Sequence, residues 1–460
     1  MRINLLLFFQ KSAPSNTDFP GDDSVKIRLY RKLRFQSFLA GTIGYSFYYV
    51  CRTVLNVVKK PILENGVLDA TQLGLIGSAL LFAYAIGKFV NGFLADYSNI
   101  KRFMAAGLFV SAIVNMSIGL LDFLNIAQVS SNLFFVIFAV MWGLNGWSQS
   151  MGAPPAIIAL SRWYPHSQRG TYYGFFSASH NLGEFLSFLF VGLLVGICGW
   201  QWGFIGSSLA GLIGVLIILC LLHDTPESNG LPPIEVLTGE HKKIETHSHN
   251  TTIQLQQSVL RNPYVWILAL SSAFMYIARY AINGWGVLFL QEVKGFSLAA
   301  ATQIISVNAL LGVIGTIFSG WMSDKFFHGC RYLPASIFGI LNTLSLCLFV
   351  YGGNSLFVNI LSMVLFGVSI GVLICFLGGL MAIDIVPREA TGAALGIVGM
   401  ASYIGAGLQD IISGSLIDAG KGIETASFDF QVVSLFWIGS SILSFLLVLL
   451  ISKKTNPTYR

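Results

Sequence analysis

The sequence predicts an all-α membrane protein of twelve transmembrane helices, arranged as two six-helix halves with both termini cytoplasmic. Three observations predict it. Of 460 residues, 54% are hydrophobic and only 10% charged, and the mean hydropathy is +0.71. A soluble chain carries about 25% charged residues, so much of this surface must face lipid. Twelve continuous apolar stretches reach the roughly 20 residues a helix needs to cross the hydrocarbon. Finally, the second half of the chain repeats features of the first.

Taken in order, residues 1–34 are a retained cytoplasmic tail: the apolar run Met1–Gln10 is too short to span, and no small-residue cleavage pattern closes it. Six spans follow within 35–222, at 35–56, 71–94, 103–121, 132–152, 171–195 and 201–222. Residues 223–262 are polar and hold Pro226, Pro232, Pro233 and four histidines; they are read as a cytoplasmic linker, not a metal site. The second half, 263–452, holds spans at 264–290, 299–322, 332–352, 356–384, 390–417 and 430–452, and 453–460 is a cytoplasmic tail. Barrel strands would alternate over about ten residues; these runs do not. The six cysteines form no CxxC pair and read as small buried hydrophobes.

Lys and Arg set the orientation. Twenty fall on the side of the termini and the linker; Lys59, Lys60, Lys294 and Lys421 fall on the other, and Arg52, Lys88 and Arg279 lie inside spans. These basic residues are dispersed in short tracts rather than gathered in one stripe, which excludes a nucleic-acid binder.

The repeat is visible at a near-constant offset. Gly92-Phe-Leu-Ala-Asp96 precedes Lys101 and Arg102, and Gly320-Trp-Met-Ser-Asp324 precedes Lys325 and Arg331, 228 residues later. Arg52 and Arg279 are 227 residues apart. Parallel repeats of this kind build many secondary transporters. Asp96, Asp324, Arg102, Arg331 and Glu184 are assigned to gating.

A basic side chain at mid-membrane costs at least about 2.5–3.5 kcal/mol. It must snorkel, find a partner or bind a ligand. Tyr45, Tyr48 and Arg52 follow an i, i+3, i+7 spacing on one helical face, and Tyr276, Arg279, Tyr280 and Asn283 form a second polar stripe. Neither arginine has a carboxylate in its own helix, although pairing between helices, such as Lys88 with Glu184, stays open. Guanidinium presents a planar fork to phosphoryl oxygens, so two of them, one from each half, suit a phosphate dianion. His180 is either a polar contact within the bundle or a third donor. An empty site with unpaired cations would return slowly, giving obligatory exchange.

The segments Gly44-Tyr-Ser-Phe-Tyr-Tyr-Val-Cys-Arg52, Gly87-Lys88-Phe89, Met141-Trp-Gly-Leu-Asn-Gly-Trp147, Ser179-His-Asn-Leu-Gly183, Arg279-Tyr280 and Trp321-Met-Ser-Asp-Lys325 resemble the organophosphate:phosphate antiporters of the major facilitator superfamily. The resemblance runs from Lys26 to Lys454. It implies the major facilitator superfamily fold and exchange of a sugar or glycerol phosphate for inorganic phosphate. Arg52 and Arg279 match the family's phosphate-binding pair, Lys88 a basic residue near the site, and His180 a substrate-contacting histidine. Tyr45, Tyr48 and Tyr49 match the aromatic stretch of the same wall. Thr53 stands where the glycerol phosphate carriers have a second basic residue, which counts toward the hexose phosphate branch, its transporters and its sensors. Gln409 and Asp410 lie in the eleventh span, where the resemblance places sugar-discriminating residues; Asp410 reads equally as an inter-helix ion pair.

The resulting expectation is an antiporter of hexose phosphate, glucose 6-phosphate first, against inorganic phosphate. It is expected to be monomeric in a bacterial cytoplasmic membrane, with a eukaryotic endomembrane as the lesser alternative, bounded by membrane lipid, with no cofactor, metal or nucleic-acid partner. The alternatives are a membrane sensor of hexose phosphate acting through a partner kinase, and an antiporter for glycerol 3-phosphate or another organophosphate. No nucleophile–base spacing supports an enzyme, and proton symport would leave the paired arginines unexplained.

Overall fold

Backbone amides in hydrocarbon must be satisfied within their own segment, so each apolar run closes on itself as a helix. A computed structural model of the chain describes residues 23–121, 123, 130–234, 259–327, 331–386, 391–420 and 428–452. The helices of the first half are α1 (Asp23–Glu64), α2 (Ala70–Tyr97), α3 (Ile100–Leu121), α4 (Ser131–Gln149), α5 (Ala153–Trp163), α6 (His166–Cys198) and α7 (Trp200–Leu221). Those of the second are α8 (Pro263–Glu292), α9 (Leu298–Phe326), α10 (Tyr332–Tyr351), α11 (Leu356–Cys375), α12 (Met381–Ile385), α13 (Thr391–Ala419) and α14 (Gln431–Ser452). The turns between them carry the caps: Asp69 forms a capping box with Gln72, Ser297 accepts from Ala300 N, and Asn262 caps α8 with Pro263 behind it.

The two halves use the same packing. In the first, α1 packs on α6 and α7, α2 on α4, and α3 on α7; in the second, α8 packs on α13 and α14, α9 on α11, and α10 on α14. Across the halves α2 meets α13 and α6 meets α9, and α1 meets α8 along the centre. Every contact has its counterpart, so the sequence repeat is a structural one.

Several expectations change. The fourth span does not end near 152: Ser150–Gly152 break the helix, and α5 continues it to Trp163, so Arg162 ends a span instead of sitting in a loop. The tenth contains a π-helical turn, Phe376–Leu380, between α11 and α12. α1 runs beyond residue 56, which brings Lys59 inside the protein at 1% exposure. Lys294, also expected in a loop, is buried and donates to Asn359 Oδ1 at 2.9 Å. Cys198 and Cys220 are exposed, not buried. Among the described residues, ten helices are apolar and long enough to span. α1 and α4 fall outside that set. Tyr45, Tyr48, Tyr49 and Arg52 dilute the first, and Asn145, Ser148 and Gln149 the second. The linker histidines His241, His247 and His249, Lys421, Arg388 and both tails beyond 23 and 452 lie outside the described residues, as does the side chain of Asp324.

Close helix approach depends on small residues where lipid offers no hydrophobic drive. A Cβ on Gly146 would stand 2.1 Å from the Leu80 carbonyl oxygen of α2, a backbone atom that cannot move aside alone. Gly146→Ala should therefore destabilise the first half by about 1–3 kcal/mol, lowering the midpoint of thermal unfolding in detergent. Gly92→Ala, where nothing lies within 4 Å, should leave that midpoint unchanged.

Candidate functional site

The site is built where α1 and α8 cross. The backbone of α1 is pinned on both sides of Arg52. The Cys51 carbonyl accepts from Asn115 Nδ2 (3.0 Å) and Asn145 Nδ2 (3.1 Å), and the Cys51 thiol donates to Ser207 O. Thr53 Oγ1 donates to Ser187 Oγ of α6 at 2.6 Å. α8 is held by reciprocal Ser271–Ser444 bonds to α14 and by Ser272 with Ser402 of α13. Two rigid helices thus present one arginine each to a common centre.

The arginines are not equivalent. Arg52 is 6% exposed and sits 4.3 Å from the Tyr84 ring centroid, 5.4 Å from Tyr49 and 5.5 Å from Tyr403. Its Nη2 donates to Tyr280 Oη, from the other half, at 2.9 Å. Among the described residues no carboxylate lies within ion-pair distance of it. Cation–π contacts and one phenol contribute of order 0.5–2 kcal/mol each, which stabilises the guanidinium without neutralising it. Arg279, 4% exposed, has its Nη2 3.3 Å from Glu184 Oε2, while Asn283 Nδ2 donates to Glu184 Oε1 at 2.9 Å.

This reassigns Glu184. It was expected at a gate or beside Lys88; the structure puts it in the centre, bound to Arg279, so that arginine is not unpaired in this conformation. Three other expectations change for reasons of side-chain direction. Tyr48 is fully buried and donates to Met104 O of α3 at 2.6 Å, facing away from Arg52. Gln409 is equally buried and donates to Ser413 Oγ, itself bonded by Trp437 of α14. Asp410 accepts from Trp285 Nε1 at 2.8 Å and lies 3.9 Å from Lys59 Nζ, so it is the inter-helix pair and not a neighbour of the arginines.

The remaining residues gather as follows. Tyr45 packs on Tyr49 and Phe176. The His180 ring lies 5.7 Å from that of Tyr49. Gly183 lets α6 approach this closely, since a Cβ there would stand 2.4 Å from the Ser46 carbonyl oxygen. Tyr276 stacks on Tyr280 at 6.0 Å and meets Tyr403 edge-on at 5.5 Å. Lys88 is exposed, with Nζ 5.4 Å from the Tyr403 ring. Lys88, Tyr403 and Asp96 line a cavity of about 680 Å³ between α2 and α13. Tyr403 therefore stands between the cavity and Arg52. Asp96 faces that cavity and its carbonyl is 3.5 Å from Arg162 Nη2. Arg331 pairs with Asp384 (3.4 Å) at the start of α10, and Arg102 is exposed at the start of α3. Neither reaches the centre.

The reading of the spans missed Tyr84 and Tyr403 as site residues and named Tyr280 only as part of the polar stripe around Arg279. Each carried a signal: Tyr84 is one turn before Lys88, Tyr280 adjoins Arg279, and Tyr403 follows the glycine-rich start of α13. Chemically the arrangement offers one guanidinium that meets no carboxylate among the described residues, a second held by Glu184, an ammonium at the cavity, and phenols for neutral hydroxyls. It suits an anion with several oxygens and a polyhydroxy tail.

Comparison with known proteins finds a family. The sequence profile of the Major Facilitator Superfamily matches residues 41–409. A probable hexose phosphate transport protein of Chlamydia pneumoniae is 32% identical over 435 residues, covering 89% of this chain and 90% of that one. The glycerol-3-phosphate transporter of Bacillus subtilis (strain 168) is 34% identical over 410 residues, covering 86% and 89%. The membrane sensor protein UhpC of Salmonella typhimurium is 32% identical over 423 residues, covering 88% and 90%. Among solved structures, a bacterial homologue of the human lysosomal transporter Spinster, inward-facing and unoccupied, superimposes with a TM-score of 0.73 at 18% identity, covering 93% of this chain and 99% of that one.

An anion binding at Arg279 would have to displace Glu184 from it. Removing one member of a buried pair leaves a charge worth about 3–5 kcal/mol uncompensated. Glu184→Gln should therefore tighten binding of inorganic phosphate to the purified protein at least several-fold, measured by calorimetry, while Glu184→Asp stays near wild type. Weaker phosphate binding in Glu184→Gln would show that the carboxylate positions Arg279 for the anion instead of competing with it.

Proposed function

The chain belongs to the major facilitator superfamily, on its organophosphate:phosphate antiporter branch, and from that premise we propose that it exchanges a hexose phosphate, glucose 6-phosphate first, for inorganic phosphate. It is a multi-pass protein of the bacterial inner membrane and, like its relatives, not an enzyme. The observation that carries the substrate class is Arg52: buried between the halves, ringed by phenols, and without a carboxylate among the described residues.

In this reading the termini and linker face the cytoplasm, and the cavity beside Lys88 and Asp96 is the cytoplasmic vestibule. A phosphoryl group entering past Tyr403 takes two hydrogen bonds from the Arg52 fork. It draws Arg279 from Glu184, with His180 and Lys88 as further donors. The sugar hydroxyls meet Tyr45, Tyr49, Tyr84, Tyr276 and Tyr280. With the dianion bound, the centre is neutralised and the halves can rock about it; empty, Arg52 keeps its charge through the occluded crossing, and return is slow. Asp96, with Asp324 at the repeat-equivalent place, belongs to the cytoplasmic gate in this reading.

A second reading, a sensor of external hexose phosphate acting through a partner kinase, is favoured by the match to the sensor relative over the same share of the chain. Flux separates the two. In phosphate-loaded proteoliposomes, labelled glucose 6-phosphate should enter against internal phosphate, and glycerol 3-phosphate and phosphoenolpyruvate should compete more weakly. Binding without entry is the sensor outcome.

Arg52→Lys keeps the charge but loses the fork. Exchange should fall by about two orders of magnitude, read as initial counterflow at saturating internal phosphate. Transport at the wild-type rate in this variant would rule out bidentate phosphoryl binding.

A further inference from the structure

Three carboxylate contacts join the halves at the end of the bundle opposite the Lys- and Arg-rich loops. Lys60 of α1 is 2.8 Å from Glu292 of α8. Asp418 of α13 accepts from the backbone N–H of Ala70 (3.1 Å) and of Thr71 at the start of α2. Asp410 of α13 faces Lys59 of α1. Each contact takes one partner from each half. The cavity between α2 and α13 lies toward the other end, at Lys88 to Asp96.

The Lys59–Asp410 contact is built differently from the two nearer the surface. The Lys59 ammonium sits 3.4 Å over the Trp285 ring centroid, and the indole Nε1 of that ring donates to Asp410 Oδ1. Nζ is 3.9 Å from the same oxygen and makes no hydrogen bond among the described residues. A Cβ on Gly77 of α2 would stand 2.2 Å from Asp410 Oδ2, and one on Gly284 of α8 would stand 3.3 Å from Oδ1. Four helices, two from each half, thus close on one buried charge pair.

The repeat shows its origin. Between α6 and α13 the structural repeat runs at 222 residues, since Gly183 meets Ser46 of α1 as Gly405 meets Ala273 of α8, so Asp410 stands one helical turn beyond the counterpart of Glu184. Each carboxylate crosses to the first helix of the opposite half: Glu184 on α6 to Arg279 on α8, and Asp410 on α13 to α1. The strict counterpart of Arg279 is Arg52, yet Asp410 takes Lys59, seven residues or two turns farther along the same face. That displacement leaves Arg52 without a carboxylate among the described residues.

We propose that Lys59, Asp410 and Trp285 form an inter-half latch in which each charge lets the outer end close only because the other neutralises it, so that the matched pair sets the resting balance between the two conformations. The latch rests on the alternating-access reading above. Closed, the two charges neutralise each other out of water; open, each is hydrated separately. The pair is therefore nearly balanced between the states, whereas either charge alone is penalised only in the closed one. The long Nζ–carboxylate distance fits a contact that separates on every cycle.

The test is distance measurement between spin labels at Asn65→Cys, in the α1–α2 turn, and Asn354→Cys, in the α10–α11 turn, with the native cysteines replaced. The protein is full-length, in lipid nanodiscs and without substrate. Lys59→Gln and Asp410→Asn should each raise the ratio of long to short distances about tenfold or more. The double variant Lys59→Gln/Asp410→Asn should return toward wild type, because it leaves no lone charge. Unchanged distributions in both single variants, or a double variant displaced as far as the two singles combined, would overturn the latch. Should one single variant fail to fold, the other together with the double variant still decides. Because no substrate is present, a failure of hexose phosphate exchange leaves this readout standing and counts only against the substrate assignment.

Discussion

A guanidinium held in a low-dielectric interior must be compensated by something, and in this protein the compensation of Arg52 is incomplete. Rings of Tyr49, Tyr84 and Tyr403 and the Tyr280 hydroxyl surround it without neutralising it. The architecture follows from placing that charge on the axis. The α1 backbone is clamped by Asn115 and Asn145, α6 approaches through Gly183, and the phenol that meets the guanidinium comes from the opposite half. A charge that one half owns and the other caps is sensitive to their relative position, which is what a carrier coupled to an anion requires.

The duplicated fold supplies two of everything, and function arises where the copies diverge. Asp410 stands one turn beyond the place that corresponds to Glu184, and both carboxylates reach across to the other half. One stays beside the central arginine; the other is drawn outward to Lys59. With two central carboxylates the arginine pair would be self-satisfied and an anion would gain little on entering. With none, the empty centre would carry two unshielded cations. In the proposed exchange, one carboxylate between two arginines gives a site that tolerates being empty and still favours a dianion.

Much of this was legible in the chain before any coordinate, and the failures share a cause. Helical periodicity puts Tyr45, Tyr48, Tyr49 and Arg52 within one broad stripe, but a stripe at 3.6 residues per turn is wide enough to meet two neighbours. Tyr48 falls to α3 and Tyr49 to the centre. Gln409 and Asp410 are adjacent, so one faces α14 and the other α1. Lys59 looked like a loop residue because apolar character ends near residue 56, while the helix continues to Glu64 inside the bundle. Pairings between helices depend on which neighbour arrives at a given depth, and no single segment encodes that.

By itself the sequence determined the membrane environment, the helical architecture, the twofold repeat and the presence of intramembrane arginines. Hydropathy, basic-residue bias and constant offset are all local or additive properties of the chain. Only the tertiary structure decided that Arg279 meets a carboxylate and, among the described residues, Arg52 does not, that Glu184 belongs to the centre, and that Asp410 meets Lys59 at one end. The reason is physical: a buried charge takes its state from the groups within a few ångströms of it, and here the deciding carboxylates come from helices 95 and 351 residues away in the chain.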